Sequence, residues 1–461
     1  MLAGGTALGQ TITVLASPIL TRLYSPDDFG VMAVYVSLLG IFSVIASLRY
    51  QLAIPLPEKD EEAANLLALS LAIVLLISLL MGLVVWLLSN QIVSWVNAPA
   101  LRPYLWLLPV GIGMVGTYQV FNYWAVRKRA FSRIARTKIN QALGLVFTQF
   151  GLGLLKVGPI GLLTGQIVGQ AAGTTTLVAL AWKRDRKAFR EIRAGGLSRM
   201  AIRYKRFPLF SFWAGILNTL SVQVPTLILS FFFGSTITGL YALSHRVMSF
   251  PVQFVGQSIA QVFFPTAVEA NRKGSIARTT EAIFKRLVLI GTAPLLLIGL
   301  AAPELFAIIF GKEWREAGIY AQWLTPWMLI VFVSSPLSML PSVMEKQGQE
   351  ALFHALLLSS RVSALYIGGF LNSERVAIAS FAGVSALCWL GFMMWNMRLS
   401  GNKVVHVLGI VFREVIAVVP VLLPVIIAKL FANRALYVLG ATGLSSALVA
   451  YRLVSKFRSG G

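Results

Sequence analysis

The longest uncharged stretches of this chain constrain its fold more than any other feature. Residues 66–88 contain no Asp, Glu, Lys or Arg, and neither do residues 207–243. A helix that crosses a bilayer needs about 20 apolar residues. Transmembrane β-strands alternate apolar and polar residues over about 10 positions, and these stretches do not alternate. They therefore predict helices that cross a membrane.

The composition supports the same interpretation. Charged residues make up 12% of the chain, whereas soluble domains contain roughly 25%. A surface with so few charges requires hydrocarbon as part of its solvent. The first ten residues, MLAGGTALGQ, lack the basic region of a signal peptide, so we expect the first apolar segment to be retained as a span.

Several classes of chemistry are disfavoured by the residues present. Cys388 is the only cysteine, which excludes an internal disulfide or a cysteine-cluster metal site. The three histidines are far apart and match no ligand spacing. The sequence contains no phosphate-binding loop, nucleotide fingerprint or catalytic triad pattern. We therefore expect no metal, no cofactor and no enzymatic activity.

The apolar segments predict an all-α polytopic membrane protein with about fourteen transmembrane helices. The predicted spans are 2–23, 29–55, 64–88, 103–124, 139–157, 159–182, 207–233, 236–265, 283–302, 318–343, 350–371, 375–397, 404–428 and 435–452.

Basic residues in the connections predict the orientation. One alternating set of connections, together with the C-terminal tail, carries 28 Lys and Arg, and the opposite set carries 8. Such a bias places the richer set, and both termini, in the cytoplasm. The net charge of +23 is therefore a topology signal, and we expect no nucleic-acid partner.

A weak internal repeat suggests two halves. Residues 18–35 and 225–243 each run from a proline, through a short turn, to a Gly-x-x-Ala that opens the next span. These motifs are Gly30 with Ala33 and Gly239 with Ala242. Parallel repeats predict a two-fold axis along the membrane normal and a site between the halves. The predicted domains are a six-helix bundle (1–190), a basic cytoplasmic connection (191–206), a second bundle (207–400) and two additional helices with a tail (401–461).

Arg246 is the most informative candidate site residue, because it lies inside a predicted span. A charge at mid-bilayer costs about 2.5–3.5 kcal/mol on insertion scales. Gln253, Gln257 and Gln261 follow on the same helix face, which makes a polar stripe headed by a cation. The alternative is that the glutamines bridge neighbouring helices and that Arg246 pairs with a buried carboxylate.

Two further arginines, Arg22 and Arg49, lie near the ends of the first two spans. Each could face a cavity, or could extend to the membrane interface as long basic side chains do. The first span also carries a polar stripe at helical spacing, consisting of Thr6, Gln10, Thr13, Ser17 and Thr21. Under the repeat, this stripe and that headed by Arg246 could face one central cavity, so Gln10 is a candidate substrate-binding residue.

A second predicted set of buried charges comprises Arg361, Arg413 and Glu414. Because cations outnumber acids within the spans, we expect an anionic substrate. The planar guanidinium fork suits phosphate, and glutamines and hydroxyls suit sugars. Four glycines at four-residue spacing, Gly161, Gly165, Gly169 and Gly173, predict a close helix contact without a ligand role.

Two segments resemble a known family. Residues 15–57, LASPILTRLYSPDDFGVMAVYVSLLGIFSVIASLRYQLAIPLP, are similar to the start of Wzx-like polysaccharide-unit flippases. Residues 239–269, GLYALSHRVMSFPVQFVGQSIAQVFFPTAVE, resemble a second signature of the same group. These flippases belong to the multidrug/oligosaccharidyl-lipid/polysaccharide exporter superfamily.

The resemblance implies two six-helix bundles in a V shape plus two C-terminal helices, in the bacterial inner membrane. It implies a polyprenyl-diphosphate-linked oligosaccharide as substrate, as for O-antigen or exopolysaccharide, with membrane lipids and a polysaccharide polymerase as candidate partners. It also implies that Arg22, Arg49 and Arg246 line a central cavity, as arginines do in the related lipid II flippases. Gln51 departs from the expected glutamate, which weakens a proton-carrying role at that position.

Two other functions remain open. A drug-type small-molecule antiporter of the same superfamily would require a functional carboxylate deep in a span. A membrane-embedded glycosyltransferase or polymerase would require acidic catalytic residues and a sizeable outer loop.

Overall fold

The chain is mostly helical in the part that the computed structural model describes, which is residues 2–344, 346–432 and 435–459. No strand occurs in these ranges. The helices are α1 (Leu2–Leu23), α2 (Pro26–Ile45), α3 (Asp60–Val96), α4 (Leu107–Arg127), α5 (Phe131–Leu154), α6 (Pro159–Arg190), α7 (Ala194–Arg203), α8 (Phe212–Arg272), α9 (Ile276–Ile309), α10 (Arg315–Ser334), α11 (Leu340–Val343), α12 (Gln347–Phe370), α13 (Glu374–Leu399), α14 (Val404–Ile427) and α15 (Ala435–Ser459). A break at Gly234, where φ is 77°, divides α8 into two arms.

The fourteen predicted spans fall mostly on helical structure, which confirms the all-α membrane fold. Within the described ranges, nine helical segments are long and apolar enough to cross a membrane, and one of them, residues 207–256, covers two predicted spans. The four predicted spans outside this set are α1, α4, α5 and α6. These helices satisfy polar groups on one another, as in the contact between the hydroxyls of Tyr118 and Thr137 at 3.1 Å. Helices that bury polar groups in this way need fewer apolar residues.

The helices form two compact units that divide between Ala242 and Leu243. In the first unit, the glycine row of α6 packs closely on neighbouring backbone and side chains. A methyl group at Gly165 would overlap Gln149 of α5, and one at Gly173 would overlap Gln141. The predicted close helix contact is therefore confirmed.

The two turns of the internal repeat meet in the first unit. The hydroxyl of Ser25 caps α2 by accepting a hydrogen bond from the backbone N–H of Asp28 at 3.2 Å. The Asp27 carboxylate accepts hydrogen bonds from the hydroxyls of Ser235 and Thr236, at the start of the second arm of α8. A Cβ atom at Gly30 would overlap the backbone of Ser235, and a methyl group at Gly239 would overlap that of Pro26. Both motif glycines therefore permit this close crossing.

In the second unit, α14 and α15 pack on α9 around an apolar cluster that includes Leu297, Val418 and Val425. The Glu414 carboxylate on α14 lies 2.7 Å from Nη2 of Arg452 and 2.9 Å from Nζ of Lys456, both on α15. Arg413 is exposed. The prediction of Arg413 as a buried charge is therefore wrong, because adjacent positions on a helix point in different directions.

The basic stretch predicted as a connection is largely helical. The helix α6 continues to Arg190, and α7 occupies residues 194–203. Arg203 pairs with Glu62 of α3 at 2.8 Å, and Met200 is buried. Its amphipathic pattern lets α7 pack as a short helix against the start of α3.

Candidate functional site

The second predicted span is broken where Arg49 lies. The helix α2 ends at Ile45, and a short 3₁₀ segment covers Tyr50–Ala53. Between them, Leu48 and Arg49 adopt left-handed conformations with φ of 47° and 66°. Such conformations are uncommon for residues other than glycine and cost about 1–3 kcal/mol each. The prediction of a continuous helix over 29–55 is therefore wrong.

The broken segment turns the Arg49 side chain toward the first arm of α8. A methyl group at Gly215 would overlap the guanidinium of Arg49, so glycine provides the space in which this group lies. The Nε atom of Arg49 is buried and has no hydrogen-bond partner within the described ranges. Buried donors are nearly always satisfied, and an anionic oxygen is a strong acceptor for a guanidinium.

Neighbouring contacts hold this segment in place. The Tyr50 hydroxyl donates to the carbonyl oxygen of Ala201 in α7 at 3.1 Å. Gln51, which is 1% exposed, accepts a hydrogen bond from Ser47 and donates to Oε1 of Gln119 in α4 at 3.2 Å. The buried side chain two residues after Arg49 is thus a neutral, hydrogen-bonded amide.

Arg22 and Arg49 lie at opposite ends of α2. Arg22 is exposed in the last turn of α1, directly before α2 begins. The 20 residues of α2 extend about 30 Å, which is about the thickness of the hydrocarbon core. The structure therefore does not bring these two arginines together, and one phosphate group cannot contact both.

The polar stripe of α1 is largely bonded to its own helix. The hydroxyls of Thr13, Ser17 and Thr21 donate to carbonyl oxygens three or four residues earlier. Gln10 is half-buried on the same helix. The role of Gln10 in substrate binding stays a prediction.

In the second unit, Arg246 lies half-buried on the second arm of α8. The Ser249 hydroxyl donates to the carbonyl oxygen of Arg246 at 3.3 Å, and Nε2 of the exposed Gln253 lies 3.3 Å from that hydroxyl. Arg246 and Gln253 are seven residues apart and share a helix face. The side chains of Gln257 and Gln261 lie outside the described residues.

Arg361 on α12 is 7% exposed and lies among aromatic rings. Its guanidinium carbon is 4.8 Å from the ring centroid of Trp327 on α10, and its Nε donates to Oγ of Ser385 on α13 at 2.9 Å. Cation–π contacts of this kind stabilise a desolvated guanidinium. The ring of His245, the residue before Arg246, lies 5.7 Å from the same tryptophan.

Several residues of these surroundings were not predicted from the sequence. Gly215, Trp327 and Ser385 lie on different helices from the arginines they contact. Contacts between distant helices leave no local spacing signal. The only sequence signal for these sites was the position of the arginines within apolar segments.

The fold defines a multi-pass, all-α membrane protein, and comparison with known proteins identifies the family. A family model described as "Polysaccharide biosynthesis protein" matches residues 19–318. The match covers more than half of the chain, which therefore belongs to this family of polysaccharide biosynthesis proteins.

A sequence relative is the succinoglycan biosynthesis transport protein ExoT of Rhizobium meliloti (strain 1021). It is 27% identical over 309 residues, which are 65% of this chain and 59% of the relative's length. The chain thus matches less than two thirds of that relative.

Solved structures share the fold. The lipid II flippase MurJ in an inward closed conformation superposes with a TM-score of 0.74 at 11% identity, over 99% of this chain and 97% of that one. An inward-facing multidrug resistance transporter of the MATE family superposes with a TM-score of 0.60 at 14% identity, over 87% of this chain and 94% of that one. At these identities the likeness shows a shared fold. Together with the family match and the relative ExoT, it agrees with the resemblance to polysaccharide-unit flippases inferred from the sequence.

Proposed function

We propose that the protein is a flippase that moves a polyprenyl-diphosphate-linked oligosaccharide repeat unit across the bacterial inner membrane by alternating access. The observation that carries this proposal is Arg49, a guanidinium with a buried, unsatisfied Nε in a break of an apolar helix. A diphosphate oxygen would supply the missing acceptor. The family match and the name of the relative ExoT support a substrate from polysaccharide synthesis.

The remaining arginines take separate roles in this proposal. Arg246, on a helix face that also carries Gln253, would contact the substrate, and the amide of Gln253 would hydrogen-bond sugar hydroxyls. Arg22 would act at the other end of α2, and therefore at a different stage of the cycle from Arg49. Arg361, held by Trp327 and Ser385, would shape the site without leaving its aromatic surroundings.

The orientation belongs to the same proposal. Both termini and the basic residues around α7 would lie in the cytoplasm, in keeping with the distribution of Lys and Arg. The substrate would then be loaded from the cytoplasmic leaflet, where Arg49 lies near the inner end of the second span. A polysaccharide polymerase would receive the sugar on the opposite side. The protein itself would catalyse no covalent step.

The test replaces Arg49 in cells whose surface polysaccharide depends on this protein. We expect Arg49→Ala to reduce export at least tenfold and to accumulate lipid-linked oligosaccharide on the cytoplasmic leaflet, because the diphosphate loses its cation. Arg49→Lys should retain part of the activity, since it keeps the charge and loses the planar fork. Arg413→Ala is the control, because Arg413 is an exposed arginine. Normal export by Arg49→Ala at equal protein level would refute the role.

A drug-type antiporter is the second candidate, because the fold is shared with a multidrug resistance transporter. It predicts cation-dependent efflux of small molecules that persists when lipid-linked sugar is absent. Efflux with that property, together with unchanged polysaccharide export in a deletion strain, would favour the antiporter over the flippase.

A further inference from the structure

The first unit contains a groove that the proposed transport site does not use. It lies among α3, α4 and α6 and has a volume of about 1080 Å³. Its walls are mostly apolar and include Leu75, Leu79, Val110, Met114 and Val178. Leu75 and Leu79 are well exposed, so the groove opens on the outer surface of the unit.

The groove has the depth of one leaflet. The lining residues of α3 run from Leu71 to Leu79, and those of α6 from Thr174 to Lys183. At a rise of about 1.5 Å per residue, these segments extend about 12–14 Å. Half of the hydrocarbon core is about 15 Å thick. A single acyl chain of one leaflet therefore matches the groove in length.

One end of the groove carries an interfacial aromatic residue and a cation. Trp182 is 59% exposed, and tryptophan prefers the membrane interface. Lys183 is also exposed and forms no ion pair with any carboxylate that the structure describes. Nearby Lys128, in contrast, pairs with Asp60 at 2.5 Å. Lys183 is thus available to an anion at headgroup level.

We infer that this groove binds an anionic phospholipid, with one acyl chain between α3, α4 and α6 and the phosphate on Lys183. Apolar walls of one-leaflet depth that end in an available ammonium match the two parts of such a lipid. With the proposed orientation, the lipid belongs to the cytoplasmic leaflet, whose anionic headgroups attract basic residues at the surface. The lipid-linked substrate is a poorer match, because its diphosphate is assigned to Arg49, which is not part of the groove.

The experiment measures lipid retention by native mass spectrometry of the purified full chain. Phosphatidylglycerol is added, with phosphatidylethanolamine as the zwitterionic comparison. We expect the wild type to retain phosphatidylglycerol preferentially, Lys183→Ala to lower its retention at least fivefold, and Lys183→Arg to restore it. Lys187→Ala is the matched control, because Lys187 is an exposed lysine one turn further along α6 and outside the groove.

A second variant tests the apolar part. Ala179→Trp places a ring in the groove at an exposed position, and should exclude the lipid while the protein keeps its gel-filtration profile. Equal retention by Lys183→Ala and wild type, or an equal loss in Lys187→Ala, would overturn the proposal. Displacement of phosphatidylglycerol by equimolar polyprenyl phosphate would also overturn it, since the groove would then be a substrate site.

Discussion

At the scale of single residues, the pairing of Arg49 with Gly215 explains how a cation is kept inside an apolar body. The left-handed conformations of Leu48 and Arg49 direct the side chain out of the line of α2. A glycine on the facing helix then leaves room for the guanidinium. Strained backbone of this kind persists where surrounding structure enforces it, and it is concentrated at functional sites.

Gly215→Ala tests this arrangement without touching the arginine. The added methyl group would overlap the guanidinium, so the arginine must leave its position or α8 must shift. We expect polysaccharide export to fall at least fivefold while the protein level in the membrane stays normal. The control is Gly151→Ala on α5, where a new Cβ has no atom within 4 Å. Full export by Gly215→Ala would show that the position of Arg49 does not matter.

Single residues also show what could and could not be predicted from the sequence. The arginines were identified because a charge in an apolar span is costly. Their surroundings were not, because Trp327 and Ser385 reach Arg361 from two other helices. The buried interpretation of Arg413 failed because hydropathy averages over a helix and does not assign a face to each residue.

At the scale of elements, the spans were predictable and their interruptions were not. Long apolar stretches identify helices such as α3 and α9, whatever their neighbours. The break after Ile45 has no glycine and no proline between residues 46 and 54. The residues that usually signal the end of a helix in a sequence are therefore missing. The break exists because contacts from α4 and α7 hold the 3₁₀ segment.

The attachment of α14 to α15 depends on one buried carboxylate. Glu414→Gln removes the negative charge between Arg452 and Lys456 and leaves two cations facing each other. Breaking a buried pair on one side costs about 3 kcal/mol. We expect a lower melting temperature and faster hydrogen exchange confined to these two helices. Glu313→Gln is the control, because Glu313 is exposed; equal exchange in both variants would contradict the role of Glu414.

At the scale of the whole molecule, the chain consists of two compact units that divide between Ala242 and Leu243. The predicted division into bundles 1–190 and 207–400, with helices appended from 401, stays a prediction. The internal repeat also stays a prediction, and its two glycine motifs lie where α2 and the second arm of α8 cross. The sequence did not predict that contact; the close helix contact that it did predict is that of the glycine row in α6, which the structure confirms.

The orientation of the whole molecule can be measured with engineered cysteines in a Cys388→Ser background. Gly195→Cys lies in the basic region of α7 and Leu155→Cys in the connection between α5 and α6, and both positions are exposed. We expect a membrane-impermeant maleimide to label only Leu155→Cys in spheroplasts and only Gly195→Cys in inverted vesicles. The reverse pattern would contradict the charge-based orientation.

The proposed transport can be measured directly as flipping by the purified protein in proteoliposomes. Polyprenyl-diphosphate-linked oligosaccharide is placed in the inner leaflet, and its arrival outside is followed with a membrane-impermeant glycosidase. We expect transfer by the wild type and transfer at least tenfold slower with Arg49→Ala, while Arg413→Ala matches the wild type. Transfer no faster than in protein-free vesicles, or equal transfer by Arg49→Ala and wild type, would contradict the proposal.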